Sequence, residues 1–216
     1  NLKMFKKLFM LFKIGRKLST SGAISSVYKI YDPPIAIKIL FFIIGFNFGN
    51  KNNNNNLSAG AKLCNAFQEM GTTFIKLGQF LATRPDIIGE DISKELERLQ
   101  DKLPPFDLIV AKNILKKELG KESFEQITNI SDPVAAASIA QVHFADIEVL
   151  GQKKNVAIKI LRPNVDKIFN EELDALMFLA YIIENLIKKT KRLKLIEIVQ
   201  LLREITNVEM DLRFEA

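Results

Sequence analysis

The chain has 216 residues, of which 48% are hydrophobic, so it can bury a core and should be globular. A single cysteine, Cys64, excludes an internal disulfide and favours a reducing compartment. A single histidine, His143, leaves no partner for a Cys/His zinc cluster.

The net charge of +6 originates in the first seventeen residues, which hold no acid and six basic side chains: Lys3, Lys6, Lys7, Lys13, Arg16 and Lys17. The rest of the chain carries 25 basic and 25 acidic side chains, a balance that argues against nucleic-acid binding. The same seventeen residues place five apolar side chains at helical spacing: Leu2, Phe5, Leu8, Phe9 and Phe12. This pattern is typical of a helix on an anionic membrane surface. An equal alternative is a terminal helix that packs on the domain and keeps its lysines in solvent.

The segment from Ile35 to Phe46 is apolar except for Lys38, but a membrane-spanning helix needs about 20 such residues. Lys38 lies in "PIAIKIL", which resembles the lysine strand of protein kinases, yet no hairpin or partner helix surrounds it. We interpret Lys38 as a lysine at a membrane or core edge. The polar run "NFGNKNNNNN" at 47–56 predicts a flexible linker, which leaves 1–46 as a basic, apolar, membrane-proximal lead-in.

Three helices are predicted over 57–120, which together form a helical extension. The first runs from about Ser58 to Thr83, the second from Asp91 to Lys102, and the third from an Asp107 cap to Gly120. The first has a polar side with Thr72, Lys76, Gln79 and Thr83, opposite one apolar stripe of Leu57, Ala61, Cys64, Phe67, Met70, Phe74, Leu77 and Leu81.

Strand-like sequence follows in "SFEQI", "VAAASIAQVHFADIEV" and "VAIKIL", with a turn at "LGQKKN". These segments predict an antiparallel hairpin sheet with a small-residue loop at its first bend. Helices return after Asn164, and the last has a predicted buried stripe of Ile198, Leu201, Ile205, Val208 and Leu212. The order of helices, a small sheet and more helices predicts an α+β fold.

Lys159 has the sequence context that Lys38 lacks. A strand, a tight small-residue loop, a second strand and a lysine-bearing third strand make up the N-lobe of protein kinases, in which loop amides cover the phosphates of ATP. Alanines replace the usual glycines here, and their Cβ atoms keep the backbone about a methyl group further from a ligand. A close-packed strand bend is the alternative interpretation. The predicted nucleotide-binding residues are Lys159 with Val134, Ala135, Ala136, Ala137, Ser138, Ile139, Ala140, Gln141 and Val142.

Such a lysine needs a carboxylate, and Glu209, Asp211 and Glu215 flank the apolar stripe of the last helix. Carboxylates beside an apolar stripe are costly unless they are paired. They either meet Lys159 and Lys76 or lie in solvent at a frayed end.

Four motifs in order resemble the N-terminal half of the UbiB family of atypical kinase-like proteins. They are "KLGQ" at 76–79, "AAASIAQVH" at 135–143, "VAIKILRP" around Lys159, and "EMDLRFEA" with Glu209, Asp211 and Glu215. The resemblance implies a kinase-like N-lobe over 121–216, with Lys159 and Glu215 as its catalytic ion pair. It also implies that a motif of Lys76, Gly78, Gln79, Glu209 and Asp211 covers the active site.

By the same resemblance, the expected ligands are ATP and Mg²⁺, although the family's metal ligands and catalytic loop belong to a C-terminal lobe outside this chain. The chain is therefore expected to be truncated before that lobe and not to transfer phosphate alone. The implied partners are a membrane surface, ubiquinone-biosynthesis proteins and a prenylated quinone precursor. The implied location is the cytoplasmic face of a bacterial inner membrane, or the matrix side of the mitochondrial inner membrane. The alternative function is a catalytically inactive adaptor at a membrane surface. His143, the single histidine, is expected to be a strand residue packed in the lobe.

Overall fold

The computed structural model describes residues 2–23, 57–149, 151–186 and 188–214. They form two compact units. The helical unit takes its residues from 1–100 and 167–208, and the sheet unit takes its residues from 101–166 and 209–216. Lys38, the Asn-rich segment 47–56 and Glu215, on all of which the sequence made predictions, lie outside the described residues.

The helices and strands occupy separate stretches of the chain, with helices on both sides of a run of strands, as in an α+β fold. The helices before the sheet are α1 (Leu2–Thr20), α2 (Ala59–Met70), α3 (Thr72–Ala82), α4 (Pro85–Ile88), α5 (Glu90–Leu96) and α6 (Leu108–Glu125). The strands are β1 (Ile127–Thr128), β2 (Pro133–Ala136), β3 (Ala140–Val149) and β4 (Gln152–Leu161). The helices after the sheet are α7 (Val165–Leu186) and α8 (Leu195–Met210), with 3-10 turns at Lys188–Leu193 and Leu212–Phe214.

The helical unit has a core built by α1, α2, α3, α5 and α7. Its buried members include Ile14, Leu63, Phe67, Phe74, Ile92, Leu96 and Ala175. The predicted single helix over 58–83 is wrong at one position, because Gly71 has φ 97° and divides it into α2 and α3. A left-handed backbone suits glycine and ends a helix. Most of the predicted stripe is retained across the break, although Leu57 is exposed.

The second predicted helix is shorter than expected. Pro85 starts the four-residue α4, Gly89 follows with φ 83°, and α5 ends at Leu96 rather than at Lys102. Leu99 is nevertheless buried, in a turn that packs on the helical core.

The sheet unit confirms the predicted small antiparallel sheet. β3 is its centre: β4 pairs with one edge of β3 over its whole length, and β1 and β2 pair with the other edge. α6 packs on β4 through Ala111 and Leu115, which meet Ile160.

Two local predictions in this region are wrong. "SFEQI" is not a strand, because helical structure resumes after the break at Gly120 (φ 79°) and continues to Glu125. An ion pair between Lys121 and Glu125 at 3.8 Å supports that extra turn. Only Ile127 and Thr128 form a strand there.

The predicted buried stripe of α8 is correct at Ile198 but wrong at three other positions. Leu201, Ile205 and Val208 are 42%, 40% and 59% exposed, whereas the helix buries Ile198, Val199, Leu202 and Thr206. α8 has apolar residues around most of its circumference, so spacing alone does not identify the packed face.

Candidate functional site

Lys159 lies in a row of side chains across the sheet. Its strand partner on β3 is Val142, and the partner of Val142 on β2 is Ala135. Directly opposite residues in an antiparallel sheet project from the same face, so these three side chains share one face. Ala157 projects from that face too, two residues before Lys159 on β4, and opposite it lies Phe144, which is 48% exposed. The ammonium group of Lys159 therefore lies on an exposed face whose other side chains are apolar, namely Ala135, Val142, Phe144 and Ala157.

The opposite face of the same strands is packed. Ile158 and Ile160 on β4 contact the α6 side, and their β3 partners His143 and Gln141 are fully buried. The alternation of side chains over 156–160 explains why Lys159 is exposed between Ile158 and Ile160.

A three-residue bend joins β2 to β3, and we call residues 137–139 the alanine bend. It is closed by a hydrogen bond from Ala137 N to Ala140 O at 2.8 Å. Among the described residues from 133 to 140, no φ is positive. The backbone angles of the alanines are therefore ones at which a Cβ atom causes no clash. Glycine is not required for the shape of this bend. Val134 is 50% exposed and marks a register irregularity in β2.

The side chain of Gln141 points into the interior, although the sequence grouped it with the nucleotide-binding residues. Its Oε1 accepts from Phe106 N at 2.9 Å, and its Nε2 donates to Phe106 O at 3.1 Å and contacts His143 Nε2 at 2.9 Å. His143 Nδ1 lies 2.8 Å from Ser131 O. A carbonyl oxygen only accepts, so Nδ1 is the donor to Ser131 and Nε2 accepts from Gln141. His143 is thus a packed strand residue, as predicted.

The KLGQ motif lies on α3 in the helical unit. Lys76 is half-buried, while Gln79 donates from Nε2 to Leu99 O at 3.4 Å. A Cβ on Gly78 would lie 2.2 Å from Leu99 Cδ1 and 2.7 Å from Phe67 Cδ2. Gly78 and Gln79 therefore dock α3 against its own unit. This packing explains why a glycine stands at position 78, and no contact with a ligand is needed to explain it.

We expect the substitution Gly78→Ala to lower the free energy of unfolding by about 1–2 kcal/mol, because overpacking by one methyl exceeds the gain in helix propensity. Urea denaturation measures it. Lys76→Ala is the control on the same helix and should leave the midpoint nearly unchanged. Equal or higher stability of Gly78→Ala would show that Leu99 and Phe67 do not constrain this position.

Among the acidic residues of the last motif, Glu209 lies in the last turn of α8 and Asp211 follows the helix. α8 ends at Met210, and Asp211 binds the guanidinium of Arg213, with Nε to Oδ1 at 2.7 Å. This hydrogen bond lowers the pKa of Asp211. Glu209 is half-exposed, and Glu215, the predicted partner of Lys159, lies outside the described residues. The pairings of Lys159 with Glu215, and of Lys76 with Glu209 or Asp211, remain predictions.

α1 has two different apolar faces. Ile14 is buried in the helical core, with Met10, Leu11 and Leu18 packed around it. The other face, which we call the aromatic face, consists of exposed side chains of Met4, Phe5, Leu8, Phe9 and Phe12. The helix therefore packs on its unit, as one alternative predicted, and still presents the apolar face on which the other alternative depends.

The basic residues of α1 meet two acids of α7. Lys6 Nζ lies 2.6 Å from Glu171 Oε1. Burial raises the pKa of Glu172, while the charges of Lys13 and Lys17 oppose the rise. Two acids thus offset part of the charge of the six basic residues in this segment. Among the helices of the described residues, none is both long and apolar enough to cross a membrane.

A family model for the ABC1 atypical kinase-like domain matches residues 98–216, which is more than half of the chain. The chain belongs to this ABC1 family. The family assignment agrees with the predicted UbiB resemblance and with the small antiparallel sheet of a kinase-like N-lobe.

Curated proteins named "Probable protein kinase UbiB" are similar to this ABC1 chain. The protein of Marinobacter nauticus is 36% identical over 184 residues, which cover 85% of this chain and 32% of the relative. That of Aeromonas hydrophila is 32% identical over 216 residues, which cover 99% of this chain and 38% of the relative. That of Cellvibrio japonicus is 38% identical over 161 residues, which cover 74% of this chain and 29% of the relative. The chain thus spans about a third of the length of these relatives, and no solved structure matches it significantly.

The magnesium ion that the ABC1 family implies requires several oxygen ligands. Within the described parts of the chain, no three His, Cys, Asp or Glu residues come together in a group that could hold a metal ion. Magnesium therefore remains an expectation from the family.

Two residues that hold the alanine bend were missed by the sequence analysis. Arg162 directly follows β4 and bonds to Ala137 O, and Asp101 accepts from Ser138 N. Arg162 stands inside the quoted motif "VAIKILRP", so its position beside the lysine strand was a usable signal. Asp101 lies 37 residues before Ser138, and no local pattern indicates that contact.

Proposed function

We propose that this chain is the nucleotide-holding part of a UbiB-type kinase-like ATPase that supports ubiquinone biosynthesis at a membrane surface. The observation that carries the proposal is the row Ala135, Val142 and Lys159, which puts an ammonium group on the open sheet face next to the alanine bend. In kinases, a lysine strand and a strand–loop–strand hairpin together hold the phosphates of ATP. Membership of the ABC1 family supports the same assignment.

Different residues of this chain would bind different parts of the nucleotide. The Lys159 ammonium binds phosphate oxygens as a charge-assisted donor. Val142, Ala157 and Phe144 offer an apolar surface for the base, since bases stack and pack on apolar groups. ATP, when bound, supplies the phosphoryl group. In the arrangement that the family resemblance implies, Glu215 would hold the ammonium group of Lys159.

Titration calorimetry of the purified chain with ATP tests this proposal. We expect saturable binding with a stoichiometry of one, together with competition by ADP. An adaptor without a nucleotide site would show no heat of binding, and that result would favour the alternative function over the kinase-like one.

We also propose that the aromatic face of α1 binds an anionic lipid surface. The face combines three exposed phenylalanines with a segment whose six basic residues outnumber the two acids of α7 that meet them. Aromatic side chains insert at the interface, and basic residues are attracted to anionic headgroups. The surface fits the cytoplasmic face of a bacterial inner membrane or the matrix side of a mitochondrial one. There a prenylated quinone precursor and the proteins that process it are within reach.

The double substitution Phe5→Ser, Phe9→Ser should reduce sedimentation with phosphatidylglycerol vesicles by at least about tenfold, because each phenylalanine contributes about 1.5–3 kcal/mol when buried. Both side chains are exposed, so the fold should be unaffected. Ile109→Ser is a matched control, since Ile109 is 74% exposed on α6. Unchanged binding by the double variant, or an equal loss in the control, would contradict a specific role for α1.

A further inference from the structure

The alanine bend is held at all three of its residues by groups outside the hairpin. Arg162 donates from Nε to Ala137 O at 2.9 Å, and its backbone N donates to Ile139 O at 2.9 Å. Ser138 N donates to Asp101 Oδ1 at 3.1 Å. The bend therefore depends on two side chains, Asp101 and Arg162, which we call the bend clamp.

The guanidinium of Arg162 is itself fixed on the segment 103–106. Nη1 donates to Pro104 O at 3.0 Å, Nη2 donates to Leu103 O at 3.2 Å, and the guanidinium carbon lies 5.9 Å from the ring centre of Phe106. Three donors in a planar fork bind three carbonyl groups, which an ammonium group cannot reproduce.

Within the bend clamp, the Arg162 guanidinium is attached to the face opposite to Lys159. Phe106 packs with Ile158 and Ile160 on the α6 side of β4, and Lys159 projects from the other side. Arg162 thus restrains the bend without occupying the surface proposed for the nucleotide.

We infer that Asp101 and Arg162 are positioning residues for the nucleotide site, which set the shape of the alanine bend before a nucleotide binds. The inference rests on the proposed nucleotide-binding function. Alanines do not lock a loop by themselves, and a loop fixed in its binding shape loses less conformational entropy when a ligand arrives. The consequence is that nucleotide affinity depends on two residues that do not contact the nucleotide.

Hydrogen exchange measured by mass spectrometry tests the clamp without any ligand. In Arg162→Lys and in Asp101→Ala, we expect the amides of 137–140 to exchange about tenfold faster, because each variant loses restraints that the bend has in the native chain. Asp101→Asn keeps an acceptor oxygen and should restore slow exchange. Asp146→Ala is the control at the far end of the same hairpin, where Asp146 binds Asn129 and Asn155. It should leave exchange at the bend unchanged.

ATP titration of the same proteins completes the test. Arg162→Lys and Asp101→Ala should bind ATP about tenfold more weakly, while Asp101→Asn and Asp146→Ala should bind like the native chain. Native exchange rates at the bend in both clamp variants would overturn the inference. Faster exchange with undiminished affinity would also overturn it and leave the proposed function intact. Absence of ATP binding by the native chain would overturn the proposed function itself, and the positioning role with it.

Discussion

Replacing Lys159 with alanine should weaken ATP binding by roughly 10- to 100-fold, because a hydrogen bond to a charged group contributes about 1.5–3 kcal/mol. Lys159 is exposed on the open face of β4, so its truncation leaves no cavity and the fold should be retained. Titration calorimetry of the variant against the native chain measures the effect.

Lys154→Ala is the matched control, since Lys154 is an exposed lysine near the start of the same strand, opposite Ile147. It should bind ATP like the native chain. If both variants lost the same affinity, the effect would reflect net charge rather than a phosphate contact at Lys159. If neither lost any, the nucleotide site would have to lie elsewhere.

The substitution Gln141→Leu should lower the free energy of unfolding by about 3–5 kcal/mol, since each buried polar group left without a partner costs about 1–3 kcal/mol. It removes the partner of Phe106 N, of Phe106 O and of His143 Nε2 in one step. The segment 103–106 would then be attached to the sheet mainly through Arg162. Urea denaturation followed by circular dichroism measures the loss.

Gln152→Leu makes the same chemical change at an exposed position of β4 and should alter stability by less than about 0.5 kcal/mol. A small effect of Gln141→Leu, similar to that of the control, would mean that water or a rearranged backbone replaces the lost bonds. The buried network would then be dispensable for the sheet unit.

The sheet could be predicted from sequence because its signals are local. The strand-like segment "VAIKIL", small residues between two strand segments and the turn signal "LGQKKN" together predict a hairpin with Lys159 on its third strand, although Gln152 to Asn155 of that turn signal belong to β4. The direction of Lys159 comes from the structure, in which Ile158 and Ile160 pack on the α6 side.

The helices were harder to predict, for a physical reason. In α8, Leu201 and Leu202 are adjacent and equally apolar, and only tertiary packing decides that Leu202 is buried. At Gly71 the apolar spacing continues across a break that only the backbone angle reveals. Periodicity reports which faces are apolar, not which of them finds a partner.

The polar contacts of the site also depend on distant sequence. Asp101 and Phe106 reach the hairpin across a separation of 35 residues or more, and neither lies in a recognisable motif. Gln141 was assigned to the nucleotide because it stands in the alanine-rich motif, yet its side chain holds the backbone of Phe106. Motif membership identified the right hairpin but not the direction of each side chain.

Photo-crosslinking with 8-azido-ATP, followed by peptide mapping, tests the central claim most directly. The nucleotide should label the open face of the sheet, at peptides that contain Val142 to Phe144 or Ala157 to Lys159, and excess ATP should suppress the label. Label confined to other parts of the chain, with neither strand modified, would contradict a nucleotide site at Lys159.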